Sequence, residues 1–260
     1  MKKISAILPL IILGLSLKAQ SPPTFPLIDY HVHLKGDLTY EKAVEQSKRT
    51  GIIYGVALNC GLGFPTQTDS AALAWLSSMK GSPFLLAMQA EGRQWVKLFS
   101  PAVIAKFDYV FTDAMTYTDA SGKRVRLWIK EEVSVPEKQL FMDDLVGRIV
   151  TILGTEPIHI YVNPTFLPDV IAAGYDKLWT RERMMKVINA AVQNHVAIEI
   201  NNRYRLPSEK FIKLAKKKGV KFAFGTNNTD SHMGDLDWCL KMKRKCRLEA
   251  INMFQTGTDK

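Results

Sequence analysis

The stretch DYHVHLKGD (residues 29–37) ends an apolar run and places two histidines one residue apart. Side chains alternate along a β-strand, so His31 and His33 point to the same side if this stretch is a strand. Neutral imidazole nitrogen is a common ligand of zinc, iron and manganese. Asp29 shares the same alternation and is expected to orient a ligand histidine. The spacing predicts either a metal site or, as the alternative, two ordinary strand histidines.

Short apolar runs that end in polar residues recur along the whole chain. Continuous apolar strands that alternate with amphipathic helices predict a parallel sheet covered by helices. The runs are residues 26–33, 52–60, 83–91, 107–115, 157–164, 195–202 and 220–228. The predicted helices between them are residues 39–50, 69–80, 137–153, 180–194 and 208–218.

Every one of these runs ends in side chains that can take part in chemistry. A closed barrel brings all such strand ends to one face, whereas an open sheet spreads them along a line. We therefore predict an α/β fold, a distorted (β/α)7 TIM-like barrel with parallel strands. The long connection at residues 116–139 is expected to lie over the mouth of the barrel.

The first twenty residues differ in composition from the rest. A basic start, an apolar stretch of residues 4–17 and a small-residue exit are typical of a secretory signal peptide. The alternative is a membrane anchor, but a span needs about 20 apolar residues. We predict a signal peptide at residues 1–20, a single barrel domain at residues 21–260, and an exported protein in the periplasm or outside the cell.

The net charge of +10 limits which partners are expected, and the three cysteines limit which disulfides can form. Much of the positive charge lies in residues 213–219 and 241–247, which we interpret as solvated helix faces. We expect no nucleic-acid partner and no membrane contact after signal cleavage. Cys239 and Cys246 are seven residues apart on a predicted helix, about 10 Å, which is too far for a disulfide.

Several quoted segments together resemble the PHP-type metallohydrolases, the polymerase and histidinol phosphatase superfamily, and more distantly the amidohydrolases. They are HVH at 31–33, MQAEG at 88–92, IEINN at 198–202, the segment 206–226 and DSHMGDL at 230–236. The resemblance implies a distorted seven-stranded barrel, a two- or three-metal site (Zn, Mn or Fe) and hydrolysis of phosphoesters. For this chain we predict one to three divalent metal ions.

The resemblance extends to some of the expected ligand positions, whereas others hold a different residue type. His31, His33 and Glu91 match metal ligands. Asp113 stands at the end of the fourth strand, where it is a candidate ligand or general base. Asn163 replaces the histidine expected on the fifth strand, and Cys60 stands where the second strand usually ends in histidine.

The last strand, FGTNNTDSH (224–232), allows two alignments. Without a gap, Asn227 and Thr229 occupy the positions of an expected Asp-x-His pair. With a three-residue shift, Asp230 becomes a catalytic candidate beside Asp113, and His232 becomes a metal-ligand candidate. Both alignments stay open at this point.

Polar residues just past the strand ends predict how a substrate is held. The candidates are Lys35, Asn163, Asn201, Arg203 and Asn227. Cations and amides suit a small anionic substrate that carries a phosphate or carboxylate. The first hypothesis is an exported metal-dependent hydrolase, a phosphoesterase. The alternatives are a catalytically reduced barrel that binds a small molecule, and a one-metal lactonase or amidase of the amidohydrolase type.

Overall fold

The computed structural model describes residues 26–257, and its central feature is a closed barrel of seven parallel strands. The predicted signal peptide lies outside the described residues. The barrel strands, in order around the barrel, are β1 (Ile28–Val32), β2 (Ile53–Gly61), β3 (Leu85–Glu91), β4 (Tyr109–Thr112), β7 (Ile160–Tyr161), β8 (Ala197–Asn201) and β9 (Phe222–Gly225). A separate hairpin consists of β5 (Thr116–Thr118) and β6 (Arg124–Arg126). The fold is a distorted (β/α)7 barrel of the TIM type, as predicted.

Helices of the described segment surround the barrel. They are α1 (Tyr40–Thr50), α2 (Asp69–Ser78), α3 (Trp95–Leu98), α4 (Pro101–Ile104), α5 (Lys138–Thr155), α6 (Asp169–Ala172), α7 (Tyr175–Leu178), α8 (Arg181–Gln193), α9 (Glu209–Lys217) and α10 (Asp237–Cys246). Two 3-10 turns are at Lys130–Glu132 and Ala250–Asn252. Within residues 26–257, none of the helices is both long enough and apolar enough to cross a bilayer.

Local signals explain where the helices begin and end. The Thr39 side chain accepts a hydrogen bond from the Lys42 N–H at the start of α1, and Gly51 ends this helix with a φ of 70°. Ser208 caps α9 in the same way through Phe211 N–H. The five predicted helices are all present, with ends shifted by a few residues at most.

The inside of the barrel is filled by aromatic rings set against alanines. Tyr30, Tyr109 and Phe111 from β1 and β4 pack against small residues of the other strands, which are Ala57, Ala87, Ala197 and Ala223. Because the rings take up the lower part of the barrel, polar side chains at the strand ends are left at the upper end, the mouth.

The first strand is irregular, and this changes which residue supports the histidines. The pairing register of β1 with β2 shifts between Asp29 and Val32. Asp29 therefore turns to the neighbouring segment, where it accepts hydrogen bonds from Thr226 N–H (2.9 Å), Gly234 N–H (3.1 Å) and the His31 N–H (3.2 Å). The expectation that Asp29 orients a histidine ring is wrong.

The long connection after β4 lies at the mouth, as predicted. Hairpin β5–β6 is followed by a turn in which Arg126 Nε donates to both carboxylate oxygens of Glu132 at 3.0 and 3.1 Å. Leu127 is buried, and its N–H donates to the Met115 carbonyl at 2.9 Å. This arrangement places Trp128 on the wall of the cavity at the mouth.

Candidate functional site

A cavity of about 310 Å³ opens at the mouth, where the strand ends converge. Its lining is mostly polar, with carboxyl, amide, imidazole and cationic groups. The residues are His33, Lys35, Asn59, Phe64, Gln89, Glu91, Asp113, Met115, Trp128, Asn163, Arg203, Tyr204, Asn227 and Thr229. Most of the predicted site residues are thus brought together. His31 and Asn201 are fully buried and join the site through hydrogen bonds.

The structure does not bring Asp230 and His232 to the mouth. Their side chains are 47% and 86% exposed, and they bond each other, with His232 Nδ1 2.8 Å from Asp230 Oδ1. Asn227 lines the cavity instead, so the gapless alignment describes the structure. The chain turns at Asn227, which has a φ of 50°, and Asn228 then ties to the backbone of His33. This turn carries the following residues to the surface.

A buried carboxylate–imidazole pair lies beneath the cavity. His31 Nδ1 is 2.7 Å from Glu199 Oε1, and both side chains are fully buried. Because the carboxylate oxygen accepts, Nδ1 is the donor in this contact. Among the described residues, His31 Nε2 has no hydrogen-bond partner. Glu199 therefore takes the supporting role that the sequence-based interpretation gave to Asp29.

Three asparagines form a network around Glu199. Asn163 N–H (2.7 Å) and Asn201 Nδ2 (2.9 Å) both donate to Glu199 Oε2. Asn163 Oδ1 accepts from Asn201 Nδ2 at 3.0 Å and from Asn227 Nδ2 at 2.9 Å. Asn163 Nδ2 in turn donates to Asp113 Oδ2 at 2.7 Å. The network fixes the side chains of the fourth, fifth, sixth and seventh barrel strands relative to one another.

Two carboxyl groups face the cavity from neighbouring strands, Glu91 from β3 and Asp113 from the end of β4. Burial, with the Asp113 charge beside it, raises the pKa of Glu91 to about 8. Burial also raises the pKa of Asp113, and this rise is opposed by the hydrogen bonds from Asn163 Nδ2 and Met115 N–H. Near neutral pH Glu91 therefore holds a proton.

Cations lie at the rim of the cavity. Lys35 and Arg203 are exposed and line it. Burial of part of the Lys35 side chain and the neighbouring Arg203 lower the pKa of Lys35, whereas Glu91 opposes this shift. Arg93 has a structural role, since it donates to Glu156 Oε1 (2.7 Å) and to the Asp113 carbonyl (2.8 Å). It thereby holds the chain segment that presents Asp113.

The described residues do not fit the two- or three-metal centre that the resemblance implies. No three histidine, cysteine, aspartate or glutamate side chains within residues 26–257 are arranged to hold one metal ion. Catalytic zinc sites use three protein ligands. Here His31 and His33 lie together, with ring centroids 5.1 Å apart, but Asn163 and Asn227 occupy positions of expected ligands. Cys60 is buried and its thiol has a pKa raised to about 12 by burial, which disfavours a thiolate ligand.

Sequence and structure comparisons complete the description of the site. No protein-family model and no curated protein matches the sequence. The fold is similar to a triazine hydrolase variant, with 14% identity, a TM-score of 0.35, and coverage of 81% of this chain and 45% of that chain. This chain thus spans less than half of the triazine hydrolase.

Two further solved structures have other activities in their names. One is a putative mandelate racemase/muconate lactonizing enzyme from Roseovarius nubinhibens ISM, with 10% identity, a TM-score of 0.35, and coverage of 78% of this chain and 54% of that chain. The other is the YdjI aldolase from Escherichia coli K12, with 10% identity, a TM-score of 0.33, and coverage of 86% and 87%. Scores of this size leave the function to be argued from the site itself.

Sequence reasoning missed two parts of the site. It did not identify Glu199 as the partner of His31, because the two residues are 168 positions apart in the sequence. It also missed Trp128, which lies two residues after β6 and at none of the seven predicted strand ends. Trp128 could have been identified as a tryptophan within the connection at residues 116–139, which was already expected to lie over the mouth.

Proposed function

We propose that the protein is a hydrolase that cleaves a small anionic substrate by acid–base catalysis at Glu91 and Asp113. The observation that carries the proposal is the presence of these two buried carboxyl groups on the wall of one cavity. Environments that set two carboxyl groups at different pKa values assign one as an acid and the other as a base. Lys35 and Arg203 at the rim attract the anion.

The environments of the two groups suggest their roles. Glu91 holds a proton near neutral pH and donates it to the leaving oxygen as the bond to that oxygen breaks. Asp113 is the better base, because hydrogen bonds from Asn163 Nδ2 and Met115 N–H favour its ionised form. It takes a proton from the attacking water while the water oxygen bonds to the reacting centre. The net change is addition of one water across the cleaved bond.

Phosphoesters are the first substrate class to test, because a phosphate fits the two rim cations. The experiment compares phosphomonoesters, lactones and amides as substrates of the purified protein. Turnover that is present in the wild type and lost in Asp113→Asn supports the proposal. If no class is turned over above the rate of the Asp113→Asn protein, the proposal is wrong.

A second candidate function is a small-molecule binding module without catalysis. The observation that favours it is the saturation of the polar network, in which Glu199, Asn163 and Asp113 already satisfy one another. Saturated groups form a rigid, specific pocket. Ligand binding with unchanged affinity in Asp113→Asn, in the absence of any turnover by the wild type, would distinguish this function from hydrolysis.

The donor set predicts how the protein responds to metal removal. We expect treatment with EDTA to leave the melting temperature within about 1 °C of the untreated value, because a metal contributes stability only when the folded chain binds it. Differential scanning fluorimetry with and without EDTA, and after addition of Zn²⁺ or Mn²⁺, measures this. A rise of several degrees on adding metal that is lost in His33→Ala would contradict the prediction and restore the metal-dependent hypothesis.

A further inference from the structure

Trp128 is unusual among the aromatic residues of the described chain. Its side chain is 40% exposed, which makes it the most exposed tryptophan or phenylalanine within residues 26–257. It also lines the cavity at the mouth, together with the half-buried Phe64. Exposed aromatic side chains at the edge of a polar cavity are typical of ligand-binding surfaces.

Both rings are held in place by their own segments. Trp128 follows the buried Leu127, and the bidentate contact between Arg126 and Glu132 fixes the turn that contains it. Phe64 lies in a tight loop that its N–H closes by donating to the Gly61 carbonyl at 3.0 Å. The Arg124 guanidinium lies over the Phe64 ring at 5.6 Å, which joins the hairpin to this loop. The backbone segments that carry the two rings are therefore fixed before a ligand binds.

The order of the strands places the rings and the cations on different sides of the mouth. Phe64 follows β2, and Trp128 follows hairpin β5–β6 in the long connection after β4. Arg124 of this hairpin lies over the Phe64 ring, and the Leu127 N–H donates to the Met115 carbonyl just after β4, so both rings lie on the β2–β4 side of the mouth. Lys35 follows β1 and Arg203 follows β8, so the two cations flank β9. In a closed seven-stranded barrel these are separate arcs of the rim. The mouth therefore has two aromatic rings on one side and two cations on the other.

We propose that the substrate is an anion carried on a ring that has an apolar face. The anionic group lies at Lys35 and Arg203, and the ring stacks on Trp128 and Phe64. This inference rests on the proposed function, because it names the substrate class of the same cavity. Two kinds of ring share this chemistry, an aromatic ring and a sugar ring, and the ligands chosen for the test distinguish them.

The test compares ligands with and without a ring, all inert to hydrolysis. Phenylphosphonate is paired with methylphosphonate, and glucuronate is paired with acetate. We expect the wild type to bind at least one ring ligand more tightly than its ringless partner. Trp128→Ala is expected to raise the dissociation constant of that ligand by about tenfold, which is the size of a single stacking contact. The dissociation constant of the ringless partner is expected to rise by less than about twofold. Isothermal titration calorimetry measures each dissociation constant.

Ile251→Ala is the matched control. Ile251 is 70% exposed and lies in the turn beside the start of β9, at the opposite end of the barrel. This truncation is expected to change no dissociation constant. Phe64→Ala provides a second variant, with the same selective effect expected on the ring ligand.

Three results would overturn the inference. The first is a wild type that binds each ringless ligand as tightly as its ring partner. The second is a Trp128→Ala protein that loses affinity equally for both members of a pair, and the third is a wild type that binds none of the four. Failure of the proposed function has a different signature, because ring-selective binding that depends on Trp128 in a protein without turnover rejects hydrolysis and leaves the ligand class standing.

Discussion

Asp113→Asn and Glu91→Gln are each expected to lower kcat/KM by about 10²- to 10⁴-fold on any substrate that the protein hydrolyses, which is the usual contribution of a general acid or base. Both replacements keep the size of the side chain and remove its ability to exchange a proton. An asparagine at position 113 keeps one oxygen, which can still accept from Met115 N–H, while its amide nitrogen faces Asn163 Nδ2, so the melting temperature of Asp113→Asn is measured beside its rates. Steady-state rates at substrate concentrations below KM measure the loss.

The pH profile separates the two roles. Since the pKa of Glu91 is about 8, the acid is lost and the rate falls as the pH rises through about 8. The acidic side of the profile reports protonation of Asp113, whose pKa is raised by burial. In Glu91→Gln the residual rate is expected to lose its alkaline decline, whereas in Asp113→Asn the acidic decline is expected to disappear. A profile with both declines unchanged in Glu91→Gln would contradict the assignment.

The stability of the folded protein provides a control that needs no substrate. In the folded state Glu91 keeps its proton up to about pH 8, whereas the unfolded chain releases it near 4.5. The contribution of Glu91 to the free energy of unfolding is therefore fully present below pH 4.5. It is lost as the pH rises to about 8, at up to about 1.4 kcal/mol per pH unit. Glutamine does not titrate, so Glu91→Gln is expected to gain in stability relative to the wild type over this range. Urea unfolding at several pH values measures the difference.

The barrel could be predicted because its signals are local. Each strand lies in an apolar run, and several helices have a capping side chain or a glycine at one end, as Thr39 and Gly51 show for α1. Strand lengths were less predictable. The run at residues 157–164 forms only the short strand β7 (Ile160–Tyr161), because the chain adopts a φ of 47° at Asn163 and leaves the sheet there.

The site was predictable only where it depends on position along the chain. Glu91, Asp113 and Asn163 were found because they end strands, and parallel strand ends meet at one face. The choice between Asn227 and Asp230 depended on a backbone turn that composition does not encode. The pairing of His31 with Glu199 depends on contact between β1 and β8, which are 168 residues apart in sequence, so no local pattern contains it.

Glu199→Ala is expected to destabilise the protein by about 3–5 kcal/mol, the largest stability effect that we predict. The Glu199 side chain is fully buried and accepts hydrogen bonds at both oxygens. Its removal leaves the His31 ring and the Asn163 N–H buried without partners, and each unsatisfied group costs about 1–3 kcal/mol. Urea unfolding followed by circular dichroism measures the loss.

Glu199→Gln is the informative second variant, because it is expected to fold even if the alanine variant does not. Glutamine keeps the volume and can still accept from His31 Nδ1 through its oxygen. Its amide nitrogen then faces two donors, the Asn163 N–H and Asn201 Nδ2, so we expect an intermediate loss. Glu209→Ala is the control, since Glu209 also contacts two partners, Lys213 and Lys245, but on the surface, and it is not expected to shift the midpoint measurably. Equal midpoints for Glu199→Ala and Glu209→Ala would show that burial and the shared hydrogen bonds do not give Glu199 its importance.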